Sequence, residues 1–221
     1  MPEGAIFDAD GTLLDSMGVW VSLGSDYLRR LGYDPPPDLD DRLRLMSLPQ
    51  GVKTCRALLH MRESEEEILG GILGVITDFY RNKVLLKPGA EEFLRDLAGK
   101  GVKLAVATAS DPRLIRDAFQ RLGILPLFRT VLTCTELSVG KDSPLLYEEA
   151  LRLLGTSRRA TPVFEDSILA LLTAQKAGFP TVAVFDPHEE HQERLRDCAD
   201  CYLADFRDPA PFLRFAESLR G

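Results

Sequence analysis

The sequence predicts an α/β fold in which a Rossmann-like parallel sheet has helices on both faces and an all-α domain is inserted into the chain. Short apolar runs alternate with amphipathic helical runs, which is typical of βαβ units. Glycines follow the helical runs, where they favour the turn that ends a helix. After the first apolar run the alternation is interrupted, and residues 16–86 show helical patterns only. Together these observations indicate a parallel sheet with a helical insertion.

Six short apolar runs are the predicted strands, at residues 4–8, 102–110, 129–134, 161–166, 181–186 and 202–206. The amphipathic runs that connect the later strands are predicted helices, at 89–100, 112–122, 143–154, 167–177 and 188–198. Because crossovers between parallel strands are right-handed, the connecting helices are expected to cover both faces of the sheet.

The insertion is expected to form a second, smaller domain. Helices are predicted within it at 17–31, 38–46, 50–61 and 64–82, with a turn at the three prolines 35–37. The prediction is therefore an α/β catalytic core domain at 1–15 and 87–221, and a helical cap domain at 16–86. The segment Lys87-Pro88-Gly89 is the expected hinge at which the chain returns to the core.

Composition excludes several classes of protein. The chain has 221 residues, and its formal net charge of −7 argues against binding to the phosphate backbone of nucleic acid. A membrane-spanning helix needs about 18 uncharged apolar residues in a row, and no window of the sequence reaches that number. Glu3 and Asp8 stand where a signal peptide would carry positive charge, so a cytoplasmic protein without a membrane partner is expected. We also expect a monomer.

Polar residues stand where the predicted strands end, which is the edge of an open parallel sheet at which ligands bind. They are Asp8, Asp10, Gly11 and Thr12 after the first strand, Thr108, Ala109 and Ser110 at the second, Lys141 in the loop after the third, and Glu165 and Asp166 at the fourth. Four carboxylates in one crevice are costly unless a cation is bound. Oxygen ligands of this kind suit Mg²⁺, and the lysine is left to balance an anionic substrate. The set therefore indicates a site for a phosphate ester and Mg²⁺.

Asp8 and Asp10 have different predicted roles. A carboxylate at a strand end can attack phosphorus and form an aspartyl phosphate. A second carboxyl two residues later can protonate the leaving oxygen and then accept a proton from the attacking water. Gly11 lets the backbone turn tightly beside the phosphate. Each feature alone also has a structural explanation, since Glu165 and Asp166 could simply cap the following helix. Their placement at successive strand ends favours the catalytic interpretation.

Four segments carry a resemblance to a known family. DADGTLLDS (8–16), VATAS (106–110), Lys141 with Pro144, and VFEDSILALLTAQKAG (163–178) resemble the four signature motifs of the haloacid-dehalogenase superfamily. The branch that the chain resembles most is that of small phosphatases and β-phosphoglucomutase-like enzymes with a helical cap. The resemblance covers the whole chain, including the position and size of the cap.

The resemblance implies a role for each matched residue. Asp8 would be the nucleophile and a Mg²⁺ ligand, and Asp10 the general acid/base with its backbone carbonyl on the metal. Glu165 and Asp166 would complete the metal site. The phosphate-binding and catalytic groups of the other motifs would be Thr108, Ala109, Ser110 and Lys141, with Gly11 beside them.

The sequence also departs from the family pattern. Asp142 and Ser143 separate Lys141 from Pro144, where relatives usually have proline directly after the lysine, and Ala170 replaces a frequent glycine. The mutase members resemble one another in a cap histidine and a cap arginine. The matching stretches here contain Trp20 and Ser47-Leu48-Pro49-Gln50, a predicted loop, so no cap group is expected to hold a second phosphate.

The function predicted from these residues is a Mg²⁺-dependent phosphohydrolase for a small phosphate ester, a sugar or polyol phosphate, acting through an aspartyl phosphate. The alternative is a β-phosphoglucomutase-type phosphomutase with the same chemistry. A phospho-accepting receiver module would lack the insertion and would not have its phosphorylated aspartate on the first strand. A relative that only binds metabolites is disfavoured because every catalytic position is filled.

Overall fold

The computed structural model describes residues 1–43, 46 and 48–219. These residues form two compact units. The first, the core unit, comprises Met1–Ser16 and Val84–Gly221, and the second, the helical unit, is Met17–Lys83. Ser47, the first residue of the stretch Ser47-Leu48-Pro49-Gln50, lies outside the described residues.

The core unit is built on one parallel sheet. Its strands are β1 (Gly4–Phe7), β2 (Lys103–Thr108), β3 (Phe128–Thr133), β4 (Val163–Glu165), β5 (Thr181–Val184) and β6 (Cys201–Leu203). They lie in the order β3-β2-β1-β4-β5-β6, and neighbouring strands are parallel. The predicted α/β fold is confirmed. Because the chain runs outward in both directions from β1, the crevice beyond the carboxyl ends of β1 and its neighbours is the switch point of the sheet, where ligands bind in such folds.

Apolar burial holds the sheet together at β1. All four residues of the strand are buried. The ring of Phe7 stacks on that of Phe164 in β4, with 4.2 Å between centroids. Phe93 and Phe212 pack edge-on or tilted around this pair. Burying each ring contributes about 1.5–3 kcal/mol, so the strand that carries the first acidic motif is anchored firmly.

The helices follow the predicted pattern, with some shifted ends. They are α1 (Met17–Arg30), α2 (Leu39–Leu43), α3 (Leu48–Leu59), α4 (Glu65–Asp78), α5 (Ala90–Gly99), α6 (Pro112–Arg121), α7 (Cys134–Leu137), α8 (Leu145–Leu154), α9 (Ile168–Lys176), α10 (Gln192–Cys198) and α11 (Ala210–Ser218). The short α7 and the C-terminal α11 were not predicted. Among the described residues, no helix combines the length and the apolar character needed to cross a membrane.

Helix α10 begins four residues later than predicted, because the segment before it is held as a loop. The carboxylate of Asp186 accepts a hydrogen bond from the backbone N–H of His188 at 2.9 Å, and that of Glu189 accepts one from His191 at 2.8 Å. Side chains that bond the backbone two residues ahead compete with helix formation. The expected helix start at His188 is therefore wrong.

The helical unit consists of α1 to α4 and a π-helical turn at Phe79–Lys83. Ser64 and Glu67 form a reciprocal capping box at the start of α4, so the backbone N–H groups there are satisfied. The predicted loop around Pro49 is wrong, because Leu48, Pro49 and Gln50 form the first turn of α3. Proline is tolerated there, since N–H groups of the first turn have no partner within the helix.

Candidate active site

The nucleophile candidate, Asp8, directly follows β1. Its backbone N–H donates to the carbonyl of Phe164 at 3.0 Å, so β4 fixes the position of the main chain. The residue is only 5% exposed, and its Oδ1 lies 2.6 Å from Nζ of Lys141. Beyond it, Gly11 turns the backbone at a φ of 75°, which a residue with a side chain adopts only with strain. The turn allows the N–H groups of Leu13 and Leu14 to bond the carbonyl of Ala9, at 2.9 and 2.8 Å.

The second acid of the motif, Asp10, is held by two hydroxyl groups. Ser16 donates to Oδ1 at 2.6 Å, and Ser110, after β2, donates to Oδ2. The side chain is partly exposed, unlike that of Asp8. An acid that two neutral donors orient, and that solvent reaches, is suited to exchanging protons.

The end of β2 presents small polar groups at the same edge of the sheet. Thr108 is buried, and its Oγ1 accepts a bond from the backbone N–H of Ser110 at 3.2 Å. Ala109 between them is exposed. Because Ser110 reaches Asp10, the structure brings the predicted hydroxyl segment against the first acidic motif.

Lys141 joins the acids of two strands. Its ammonium lies 2.6 Å from Oδ1 of Asp8 and 2.8 Å from Oε1 of Glu165. Burial alone would lower the pKa of this lysine, but the two neighbouring carboxylates outweigh that effect and raise the pKa. Lys141 therefore carries its positive charge at neutral pH.

Glu165 and Asp166, where β4 ends, are almost entirely inaccessible. Oε1 of Glu165 accepts from Lys141 and also from the hydroxyl of Tyr147, both at 2.8 Å. Oε2 is buried without a hydrogen-bond partner among the described residues. Oδ1 of Asp166 accepts from the Thr12 hydroxyl at 2.9 Å. A buried carboxylate oxygen without a partner is costly unless it binds something else.

Three of these carboxylates form one cluster. Oxygen atoms of Asp8, Glu165 and Asp166, one from each residue, all lie within 4.8 Å of one another. Burial raises the pKa of all three, that of Glu165 to about 7. The charge of Asp8 raises the pKa of Glu165 and Asp166 further, and the charge of Asp10 does the same for Asp8. One lysine faces the three acids, so the cluster is short of positive charge. The hard oxygen ligands, the excess negative charge and the Oε2 atom of Glu165 that has no hydrogen-bond partner among the described residues all fit a divalent cation such as Mg²⁺. The side chain of Asp10 is outside this cluster.

Sequence reasoning missed two partners of the site. Tyr147 lies in α8, six positions after Lys141, and its hydroxyl reaches Glu165. Ser16, the last residue of the first quoted motif, reaches Asp10. Tyr147 is an aromatic residue in an apolar helix face, so its pattern indicates core packing alone. The available signal was a hydroxyl group on a helix face whose other buried residues are apolar.

Comparison with known proteins agrees with this geometry. Residues 5–184 match the model of the family described as haloacid dehalogenase-like hydrolase. The chain is 26% identical to the phosphorylated carbohydrates phosphatase of Thermotoga maritima, over 81% of this chain and 83% of that protein. It is 32% identical to the validoxylamine A 7′-phosphate phosphatase of Streptomyces hygroscopicus subsp. limoneus, over 94% and 96% of the two chains.

A solved structure shares the fold. A candidate β-phosphoglucomutase of Thermotoga maritima superposes with a TM-score of 0.82, covering 99% of this chain and 98% of that one. At 22% identity this likeness concerns the fold alone. The family match extends over most of the chain and includes all four strand ends that carry the acids, the hydroxyl groups and the lysine. The chain therefore belongs to the haloacid dehalogenase-like hydrolase family.

Proposed function

We propose that this chain, a phosphoric monoester hydrolase, removes phosphate from a small phosphorylated sugar or polyol through an aspartyl phosphate on Asp8, with Mg²⁺ as cofactor. The observation that carries the proposal is the cluster of Asp8, Glu165 and Asp166, in which three buried carboxylates face one ammonium group. Relatives named as phosphatases of phosphorylated carbohydrates and of validoxylamine A 7′-phosphate support the substrate class.

The metal would be held by the clustered carboxylates and by the main-chain carbonyl of Asp10. Oε2 of Glu165 supports this assignment, because it is buried and needs a partner. When bound, Mg²⁺ would offset the charge of the phosphoryl oxygens and of Asp8, which otherwise repel each other. Thr12 would orient Asp166 through its hydroxyl.

Asp8 would carry the covalent step. A carboxylate oxygen of Asp8 attacks phosphorus while the bond from phosphorus to the substrate oxygen breaks, and Asp10 gives its proton to the departing oxygen. A water molecule then attacks the phosphorus of the aspartyl phosphate, and Asp10 accepts the proton of that water. The bond between phosphorus and Asp8 breaks, which releases inorganic phosphate and restores the carboxylate. Lys141 is placed to keep Asp8 ionised, at 2.6 Å.

The remaining polar groups would bind the phosphoryl group. The Thr108 hydroxyl, the backbone N–H groups of Ala109 and Ser110, and the ammonium of Lys141 supply donors for its oxygens. Gly11 would leave room for the backbone to approach the phosphate. The core unit would thus perform the chemistry, and the helical unit would act as a cap that selects the rest of the substrate.

A hydrolysis screen tests the proposal. Phosphate release is measured from a few dozen metabolite phosphates, with Mg²⁺ and with a chelator, for the wild-type protein and for Asp8→Asn. Release from sugar or polyol phosphates that requires both Mg²⁺ and Asp8 is the expected result. Phosphate release from none of them would contradict the proposal.

A second assay, which measures isomerisation beside phosphate release, separates the hydrolase from the mutase alternative. Little or no interconversion of β-glucose 1-phosphate and glucose 6-phosphate is expected, even with a bisphosphate primer. A mutase must grip a second phosphate, best with an arginine fork, and the α3 start offers the neutral Gln50 in the stretch considered for that role. Isomerisation that clearly outpaces phosphate release would make the mutase the right assignment.

A further inference from the structure

Tyr147 is a buried aromatic residue, and the only polar atom of its side chain reaches the candidate metal site. It lies in α8, its side chain is fully buried, and it packs in a cluster with Ile6, Ala105 and Phe179. The ring meets that of Phe179 edge-on, with 6.3 Å between centroids. Because the packing fixes the ring, the direction of its hydroxyl group is fixed too. That hydroxyl lies 2.8 Å from Oε1 of Glu165.

The two carboxylate oxygens of Glu165 differ in their hydrogen bonding. Oε1 accepts from both Tyr147 and Lys141, each at 2.8 Å, whereas Oε2 is buried without a hydrogen-bond partner in the described part of the chain. Two donors on one oxygen hold the carboxylate against rotation. Oε2 is therefore kept available for a cation.

Tyr147 also affects how Lys141 is shared. The lysine ammonium lies 2.6 Å from Asp8 and 2.8 Å from Glu165, so two acids compete for one cation. Tyr147 supplies Glu165 with a second, charge-assisted hydrogen bond. Without that hydroxyl, Lys141 would be the single hydrogen-bond donor to Oε1 and would be drawn away from Asp8.

We propose that Tyr147 is a positioning residue, whose hydroxyl group orients Glu165 for Mg²⁺ and leaves Lys141 to Asp8. The inference rests on the proposed function, because it assumes that Glu165 is a metal ligand. Tyr147 acts through Glu165 and is not assigned any contact with substrate. Partners that orient a metal ligand in this way typically contribute tenfold to a hundredfold to metal affinity or activity.

The test is Tyr147→Phe, which keeps the ring and removes the hydroxyl group alone. The Mg²⁺ dissociation constant is measured by calorimetry on chelator-treated protein, without substrate, and unfolding midpoints are recorded without metal. We expect Mg²⁺ to bind about tenfold more weakly. The KM for substrate at saturating Mg²⁺ should change less than the Mg²⁺ dissociation constant, because Lys141 is only one of the groups proposed to bind the phosphoryl group.

Tyr33→Phe is the matched control. The Tyr33 hydroxyl also donates to a glutamate, Oε2 of Glu63 at 2.7 Å, but both residues lie in the helical unit, which holds none of the clustered acids. Its loss should leave the Mg²⁺ dissociation constant unchanged. Equal weakening in both variants would show a general structural effect and overturn the proposal.

Other outcomes are equally decisive. Unchanged Mg²⁺ affinity in a folded Tyr147→Phe protein would overturn the role of Tyr147, while absence of Mg²⁺ binding to the wild-type protein would instead contradict the proposed function. If Tyr147→Phe fails to fold, the wild-type protein gives the answer. The hydroxyl proton of Tyr147, assigned through its ring beside Phe179, should shift in the NMR spectrum on Mg²⁺ titration. An unmoved signal under saturating Mg²⁺ would overturn the proposal.

Discussion

Two lysines with little exposure, both at the carboxyl edge of the same sheet, have different charge balances. Lys87 is 7% exposed and lies 2.7 Å from Asp186, which is 1% exposed. Its ammonium also donates to the carbonyl of Phe185 at 2.6 Å, and the other oxygen of Asp186 accepts from the His188 N–H. This is one cation against one carboxylate, with each group satisfied. Lys141 instead faces the clustered acids of Asp8, Glu165 and Asp166.

The difference shows which buried charges indicate function. A balanced and fully bonded pair such as Lys87 with Asp186 repays its desolvation by its own contacts, and it fixes a loop to the chain that returns from the helical unit. The cluster around Lys141 cannot do so, because it has an excess of negative charge and a carboxylate oxygen that finds no hydrogen-bond partner in the part of the chain that the structure describes. Burial of charged groups does not by itself indicate a functional site. A deficit of positive charge among buried carboxylates does indicate one.

The largest expected effect is on turnover, when the nucleophile of the unbalanced cluster is removed. Asp8→Asn cannot form the aspartyl phosphate, so kcat should fall by roughly three to six orders of magnitude, as when other catalytic nucleophiles are removed. Phosphate release measures the effect, and circular dichroism confirms that the variant is folded. Turnover near that of the wild type would rule out the covalent mechanism.

The next effect should be on stability, when the balanced pair is broken. Lys87→Met leaves the buried carboxylate of Asp186 unpaired, which should lower the free energy of unfolding by about 3–5 kcal/mol. Because the Lys87–Asp186 pair shares no residue with the acid cluster, the Mg²⁺ dissociation constant of the folded variant should not change. Urea unfolding and calorimetry provide the two measurements. A stability loss below about 1 kcal/mol, or weakened Mg²⁺ binding, would contradict the purely structural role of the Lys87–Asp186 pair.

The Mg²⁺ affinity of the acid cluster should depend on pH. Burial raises the pKa of Glu165 to about 7, and it also raises the pKa of Asp8 and of Asp166 from their ordinary values. The metal-free site therefore keeps protons that Mg²⁺ must displace, and Mg²⁺ binding should weaken as the pH falls below about 7. Calorimetry at pH 6 and pH 8, in buffers of different ionisation enthalpy, should reveal proton release. Equal affinity at both pH values without proton release would contradict this.

The smallest expected effect concerns a neutral partner of the cluster. Thr12→Val removes the hydroxyl group that donates to Asp166 at 2.9 Å while keeping the size of the side chain. One hydrogen bond of this kind is worth about 1.5–3 kcal/mol when the acceptor is charged. Because the bond is present without metal as well, only its orienting effect is lost from Mg²⁺ binding, which should weaken less than tenfold. An Mg²⁺ titration of the variant gives the value. Tighter binding in the variant would contradict the orienting role of Thr12.

Much of the fold was predictable, because it depends on local patterns. The alternation of apolar strands with helices predicts the parallel sheet, and the polar residues at strand ends predict that Asp8, Lys141 and Glu165 meet. The structure brings these three together within hydrogen-bonding distance. The match reflects a general property of parallel sheets, whose carboxyl ends lie at one edge.

What could not be predicted depends on pairs that are distant in sequence. Lys87 is part of the predicted hinge segment, and its side chain is anchored to Asp186, which lies 99 positions later. Neither residue shows this in its local pattern. Tyr147 is similar, because a tyrosine on an apolar helix face indicates only packing until the register of α8 against β4 is known. The late start of α10 also depends on side-chain bonds within the preceding loop.

The most direct test is to measure the rate of phosphate release as a function of Mg²⁺ concentration, after exhaustive treatment with a chelator. The excess negative charge around Lys141 is proposed to hold a divalent cation, without which Asp8 and a phosphate ester repel each other. We expect no release above background without metal and saturable recovery as Mg²⁺ is added. Release that continues undiminished in the presence of the chelator would contradict it.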